Sequence, residues 1–315
     1  MSKEIGMPSG FTKIKDYLVD EISPLLDSKV VQILVLRQTH DYTVLRTEES
    51  RELNTVVVPE DINSSTPSVK VAFLASKQKA VESRMFARLL RNIKDSNCYL
   101  KDALCMKCPR CVLFGAVNVR GGREYNLKHR IEYSTAYSIE RYEDLLETMT
   151  FNAVDSVNQS TGQALGLTHN VKPLANFPSV VTLNSATWQE VALYIKTLLA
   201  SKSYGAETRV KGDVRNTILG IVAGLEEVIT PLEYSLEMAA DFGGDLEKTT
   251  HDILERYKNL CGSRANVTVL TVEETKALVE QVQDLPLDKS FVDSMYKQVD
   301  AFLKVAKQDA KKVKH

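Results

Sequence analysis

Four cysteines fall within fourteen residues, as Cys98-x6-Cys105-x2-Cys108-Pro-x-Cys111. No other stretch restricts the fold so strongly. The segment from Met1 to Phe11 lacks the apolar run of a secretory signal. The expectation is therefore a cytoplasmic chain, in which structural disulfides are disfavoured. Thiolates two residues apart can wrap one metal ion, and four sulfurs complete a tetrahedral shell with no open position. A zinc ion held that way is structural and not hydrolytic. Lys107 and Arg110 lie between the ligands, where their charge offsets a tetrathiolate. An iron–sulfur cluster and unliganded thiols remain alternatives on spacing alone. Cys261 stands apart and reads as a core thiol.

The chain has 315 residues, 43% of them apolar, which is enough for a sizeable core. No run approaches the ~18 apolar residues of a membrane span. Net charge is −1, so the surface is not uniformly basic. The charges are segregated instead. Between Lys77 and Lys94 there are six bases and one acid, Glu82. A second basic segment runs from Lys101 to Arg130. Between Leu225 and Glu255 nine acids face Lys248 alone among lysines. This polarity reads as a basic front for phosphates and an acidic rear for the basic side of a neighbouring protein. Two solvated helix faces would give the same pattern.

Lys29 to Leu36 is a β-branched run that predicts a central strand. Shorter strands are expected at Thr43 to Thr47 and Thr55 to Val58. Ser76 to Asp95 has helical periodicity, with Ser76 as its cap and Val81, Met85, Phe86, Leu89, Leu90 and Ile93 as its buried stripe. Arg84, Arg88 and Arg91 step along the other side, spaced to follow a phosphate backbone. Val112 to Val117 reads as a strand, and Arg120-Gly-Gly-Arg123 as a tight basic turn. The polar, Gly-interrupted stretch from Thr150 to Pro178 predicts a long projecting hairpin. A strand at Ser179 to Leu183 and a helix at Ser185 to Ser201, capped by Asn184 or Ser185, follow. Lys202 to Arg215 is a loop in which Gly205 and Gly212 permit close backbone approach to a ligand. Val214 to Gly224 is the last core strand. Helices are expected at Leu246 to Cys261, Val272 to Gln283 and Lys289 to Lys312, with a strand at Asn266 to Thr271.

Strand, basic helix, strands, second helix, strand is the order of an α+β, RRM-like (ferredoxin-type) core. Residues 1–240 would form this palm, with a zinc-binding insertion at about 96–130 and a thumb hairpin at about 150–178. Residues 241–315 would add a helical region packed on it.

CPRCVLFG (Cys108 to Gly115), the hairpin segment and SYGAETRVKGDVRN (Ser203 to Asn216) together resemble the backbone subunit of type I-D CRISPR effector complexes, of the repeat-associated mysterious protein (RAMP) superfamily. The resemblance covers roughly Lys29 to Glu237. It implies a palm with a zinc insertion and a thumb, mapped here to about Asn152 to Phe177, that kinks guide RNA at regular intervals. It implies copies stacked head to tail along the spacer in a helical filament, beside a large subunit, a cap subunit and a small helical subunit. RNA would meet Arg37, His40 and Arg46; Lys77, Lys79, Arg84, Arg88 and Arg91; Arg120 and Arg123; and Lys202, Tyr204, Arg209, Lys211 and Arg215. Such a subunit reads backbone and shape, so that any guide fits and target DNA is recognised through the guide.

Catalytic patterns are thin. None of the five histidines forms an HExxH, and no GxSxG or P-loop is present. The expectation is a non-enzyme. Related type III subunits cleave target RNA with an aspartate after the first strand, and Asp41 occupies that place here. Metal-dependent cleavage at Asp41 and a stand-alone zinc-containing RNA-binding protein are the alternatives.

Overall fold

The computed structural model describes residues 6–46, 52–99, 104–117, 126–150, 157, 166–206 and 210–312. Its centre is β1 (Val30–Thr39), where Gln38 alone is not fully buried. A β-branched run of this kind suits a strand covered on both faces. The chain continues through β2 (Thr55–Pro59) and β3 (Pro67–Phe73) into α1 (Ala75–Arg91), then α2 (Pro109–Phe114). Next come β4 (Ile131–Tyr133), β5 (Ala136–Tyr137), the single turn α3 (Tyr142–Leu145), β6 (Leu146–Thr150) and β7 (Leu167–Val171). Then follow β8 (Asn176–Asn184), α4 (Trp188–Ala200), β9 (Val214–Gly224), α5 (Pro231–Ala240) and α6 (Leu246–Lys258). The last elements are β10 (Val267–Val269), α7 (Val272–Asp284) and α8 (Lys289–Lys312).

The main sheet has the order β10-β9-β1-β8-β4, and every pairing is antiparallel. Among these, β1, α1, β4, β8, α4 and β9 form a β-α-β-β-α-β succession whose strands lie in the order fourth, first, third, second. Side chains alternate across the sheet. Val31, Ile33 and Val35 face one side, where they pack with Val191 and Leu198 of α4, Leu278 of α7 and Phe291 of α8. Leu34 and Leu36 face the other, against Tyr234 and Met238 of α5 and Ile253 and Leu254 of α6. The sheet therefore presents no open face.

Local differences from the sequence reading have clear causes. Val112–Phe114 lies in helix α2 and not in a strand, because Pro109 at its first turn presets helical φ. Thr43 makes one isolated bridge, to Val171, where a strand was expected. Helix α1 starts before Ser76, which makes no capping bond. Helix α4 is capped by Thr187 in a capping box with Glu190, and not by Asn184 or Ser185. Ser185 instead has φ 46° and hydrogen-bonds Asp27. In the stretch expected to form a projecting hairpin, β6 and β7 pair antiparallel from Leu146↔Val171 to Thr150↔Leu167. Residues 151–156 and 158–165 between them lie outside the described residues.

Candidate metal centre and nucleic-acid interface

The four cysteine sulfurs Cys98, Cys105, Cys108 and Cys111 lie within 4.8 Å of one another. Cys98 Sγ is 3.4 Å from Cys111 Sγ, and Cys105 Sγ is 4.0 Å from it. Sulfurs bound at ~2.3 Å around a tetrahedral zinc would be separated by about 3.8 Å. The all-thiol donor set and its spacing fit that ion. The local fold makes the geometry. Met106 adopts φ 54° between Cys105 and Cys108, reversing the chain in the left-handed region. The Lys107 N–H donates to Cys105 Sγ and the Cys105 N–H to Cys98 Sγ, both at 3.4 Å. Cys108 caps α2 and Cys111 follows one turn later, so both sulfurs meet on one side. A hydrogen bond from Cys105 leads the causes that hold Cys98 far below the ordinary thiol value, and hydrogen bonding within the cluster pushes Cys108 and Cys111 up. Cys105 falls to about 7, chiefly through Cys108. The centre packs on α8 through Val299, Phe302 and Leu303.

Arg110 does not sit free beside the thiolates. Its guanidinium is buried, donating to Ser83 Oγ of α1 at 2.9 and 2.7 Å and to the Gly115 carbonyl at 3.2 Å. Arg91 donates to the carbonyls of Ser96 and Cys98 at 3.2 and 2.9 Å. Between these anchors Arg84 and Arg88 are exposed, and neither has an ion-pair partner among the described residues. Burial, and then the Arg88 charge, lower the pKa of Arg84. Lys79 is half-buried, and its pKa is lowered by burial and then by Arg110. Lys77 is half-buried too.

A second group gathers at the end of β1 and the start of β9. The His40 N–H donates to the Asp213 carbonyl and the Val214 N–H to that of Lys202, both at 2.7 Å. Lys202, Lys211 and Arg215 are exposed there with His40, while Lys211 pairs with Asp213 at 2.8 Å. Arg46 is half-buried nearby in sequence. Arg120, Arg123 and Arg209 lie outside the described residues.

Two expected contacts are corrected. Arg37 is fully buried and donates to Glu82, Tyr204 and Asn216 at 2.7, 3.1 and 3.1 Å. Burial is the largest single influence and lowers its pKa, but Glu82 and then Tyr204, Tyr194 and Tyr133 together outweigh it and raise the value. Tyr204 is 3% exposed, and its hydroxyl donates to Glu82 at 2.7 Å. Neither side chain reaches the surface. The same carboxylate accepts from Tyr133 at 2.7 Å and Tyr194 at 2.6 Å, so Glu82 ties α1 to β1, β4, α4 and the 202–213 loop. Sequence reasoning missed it, although Glu82 lies one helical turn from Phe86 on the buried stripe.

The glycines of the loop are corrected as well. A Cβ on Gly205 would lie 2.4 Å from Thr43 Cγ2, and one on Gly212, at φ 64°, 2.4 Å from the Gly205 backbone. Both make a close approach to the protein's own chain. Part of the acidic rear is engaged within the chain. Glu227 accepts from Gln32 and Thr182, Glu226 caps Gly262 and Ser263, and Glu237 pairs with Arg256. Asp41 accepts from the Tyr42 N–H at 2.8 Å. Among the described residues it shares no cluster of three metal-ligating side chains, and the four cysteines do. No helix among those residues is long and apolar enough to cross a membrane.

The model of the Csc2 CRISPR family matches residues 17–314. The chain belongs to that family. No curated protein matches this Csc2 family member. The crystal structure of Thermofilum pendens Csc2 is 20% identical, with TM-score 0.64 over 95% of this chain and 98% of that one. A chain of a CRISPR RNA-guided surveillance complex in a pre-nicking state is 12% identical, with TM-score 0.53 over 81% of this chain and 99% of its own. Another, from a CRISPR RNA-guided surveillance complex, is 14% identical, with TM-score 0.50 over 88% and 99%. At these identities the likeness is one of fold.

Proposed function

We propose that this Csc2 family member is the repeated, non-catalytic backbone subunit of a type I-D CRISPR interference complex, binding guide RNA along the spacer without regard to sequence. The observation that carries this reading is the family match across residues 17–314. The β-α-β-β-α-β core is read as an RRM-like, ferredoxin-type palm. Helices α5 and α6 close the sheet face on which an RRM stacks its bases. RNA therefore runs along α1 and the loops at the end of β1. Arg84, Arg88, Lys202 and Arg215 meet phosphates there as sequence-blind charge-assisted contacts. The cysteine centre holds a structural zinc ion, and the hairpin closed by β6 and β7 is the thumb. Copies associate head to tail without closing, in a helical filament, alongside the other subunits of a cytoplasmic effector complex. Target DNA is reached through the guide. Similarity in fold to chains of RNA-guided surveillance complexes supports the same placement.

Salt-dependent binding of single-stranded RNA tests this reading. Each phosphate contact on a single strand contributes about −0.7 to the slope of log K against log salt. The R84A/R88A double variant is expected to flatten that slope by about 1.4 for every sequence tried. Wild-type protein that fails to bind RNA at low salt would overturn it.

A further inference from the structure

Helix α1 and the cysteine segment enclose a cavity of about 180 Å³. Ala87, Leu104 and the ring of Tyr99 give it apolar walls, and Arg84 and Arg88 stand at its edge. The walls are fixed from both sides. Arg110 pins α2 to Ser83, and Arg91 holds the carbonyls of Ser96 and Cys98, the residues leading into Tyr99. Tyr99 is 53% exposed, an unusual place for an aromatic ring with no polar partner among the described residues. Arg84 and Arg88 face the same opening four residues apart, an unfavourable like-charge pair that a bound anion would relieve.

We propose that this cavity takes one base of a single-stranded polynucleotide, stacked on Tyr99, while the phosphates flanking that base lie on Arg84 and Arg88. The inference rests on the RNA-binding reading and adds a base subsite to it. Two independent observations point this way. The central sheet is covered on both faces, so it offers bases no stacking platform. The cavity instead sets the Tyr99 ring, Ala87 and Leu104 beside the guanidinium groups of Arg84, Arg88, Arg91 and Arg110, which matches a flat ring carried on an anionic backbone. Stacking tolerates any base, so the subsite leaves the protein blind to sequence. The cysteine centre then does more than hold α2: it fixes one wall of the subsite.

The test compares a fluorescently labelled oligouridylate with a strand of equal length and charge in which every base is replaced by an abasic site, both titrated into the full chain at fixed salt. The subsite predicts that wild type binds the base-bearing strand about tenfold more tightly. Tyr99→Ala is expected to remove that preference and Tyr99→Phe to retain it, while R84A/R88A weakens both strands alike. Equal binding of the two strands by wild type would overturn the subsite and leave the RNA-binding reading standing. A preference that survives in Tyr99→Ala would overturn it too, because the base would sit elsewhere. Binding of neither strand at low salt would remove the RNA-binding reading and the subsite together.

Discussion

Glu82 accepts hydrogen bonds from Arg37, Tyr133, Tyr194 and Tyr204 inside a region closed to water. Removing one partner of a buried ion pair leaves the other charge uncompensated, at a cost of about 3–5 kcal/mol. Glu82→Gln is therefore expected to lower the denaturant midpoint by that equivalent, read by equilibrium urea unfolding. Tyr204→Phe removes a hydroxyl bonded to both charged partners, Glu82 and Arg37, and should cost about 1.5–3 kcal/mol. Lys202→Ala and Arg215→Ala, both at exposed positions, should leave the midpoint unchanged and weaken RNA binding. At this scale the sequence was only half legible. Arg84 and Arg88 are where helical spacing puts them. Arg37 looked like a phosphate ligand because its partner lies 45 residues away, and spacing carries no information about such pairs. Position 82 did carry a signal, as the one acid of a basic stretch that falls on the apolar stripe. The Gly205 and Gly212 contacts had none, since a close approach to ligand and one to the chain's own backbone demand the same residue.

The cysteine segment, α2 and α8 form one unit among the elements. Buried Val299, Phe302 and Leu303 rest on Cys98, Met106, Cys108, Cys111 and Val112, away from the main sheet core. A bound metal contributes folding free energy when its ligands are otherwise free to separate. Chelation is expected to speed amide exchange in α2 and in α8 near Val299–Leu303 while β1 and β8 stay protected. Metal content should fall in the same sample from about one zinc per chain to none, in keeping with a four-thiolate site. Uniform protection before and after chelation would mean that the cysteines hold nothing structural. Periodic helices such as α8 were readable end to end, because an amphipathic stripe repeats over several turns. Helix α2 was not. Its Val112, Leu113 and Phe114 look β-like, and the Pro109 start and the cysteine turn override that preference.

The whole molecule combines a doubly covered antiparallel sheet with exposed cations that include Arg84 and Arg88 along α1, and Lys202, Lys211 and Arg215 beside the end of β1 and the start of β9. At the basic end Arg84 and Arg88 are exposed, whereas Arg110 is buried on Ser83 and Arg130 is buried against Glu190. At the acidic end part of the charge is engaged within the chain: Glu226 accepts from the Ser263 N–H, Glu227 from Thr182, and Glu237 pairs with Arg256. The core strands β1, β8 and β9 announced themselves by apolar runs, while their order in the sheet was not read from the sequence. The covering of the second sheet face by α5 and α6 was not, as a helix periodicity does not say which face it packs on. The central claim is that copies of this chain line up along RNA irrespective of sequence. Mass measurement of the purified protein with single-stranded RNAs of graded length and unrelated sequence tests it most directly. The account predicts that the number of copies per strand rises in even steps with length and is the same for every sequence. One copy per strand at all lengths, or binding that follows sequence, would contradict it.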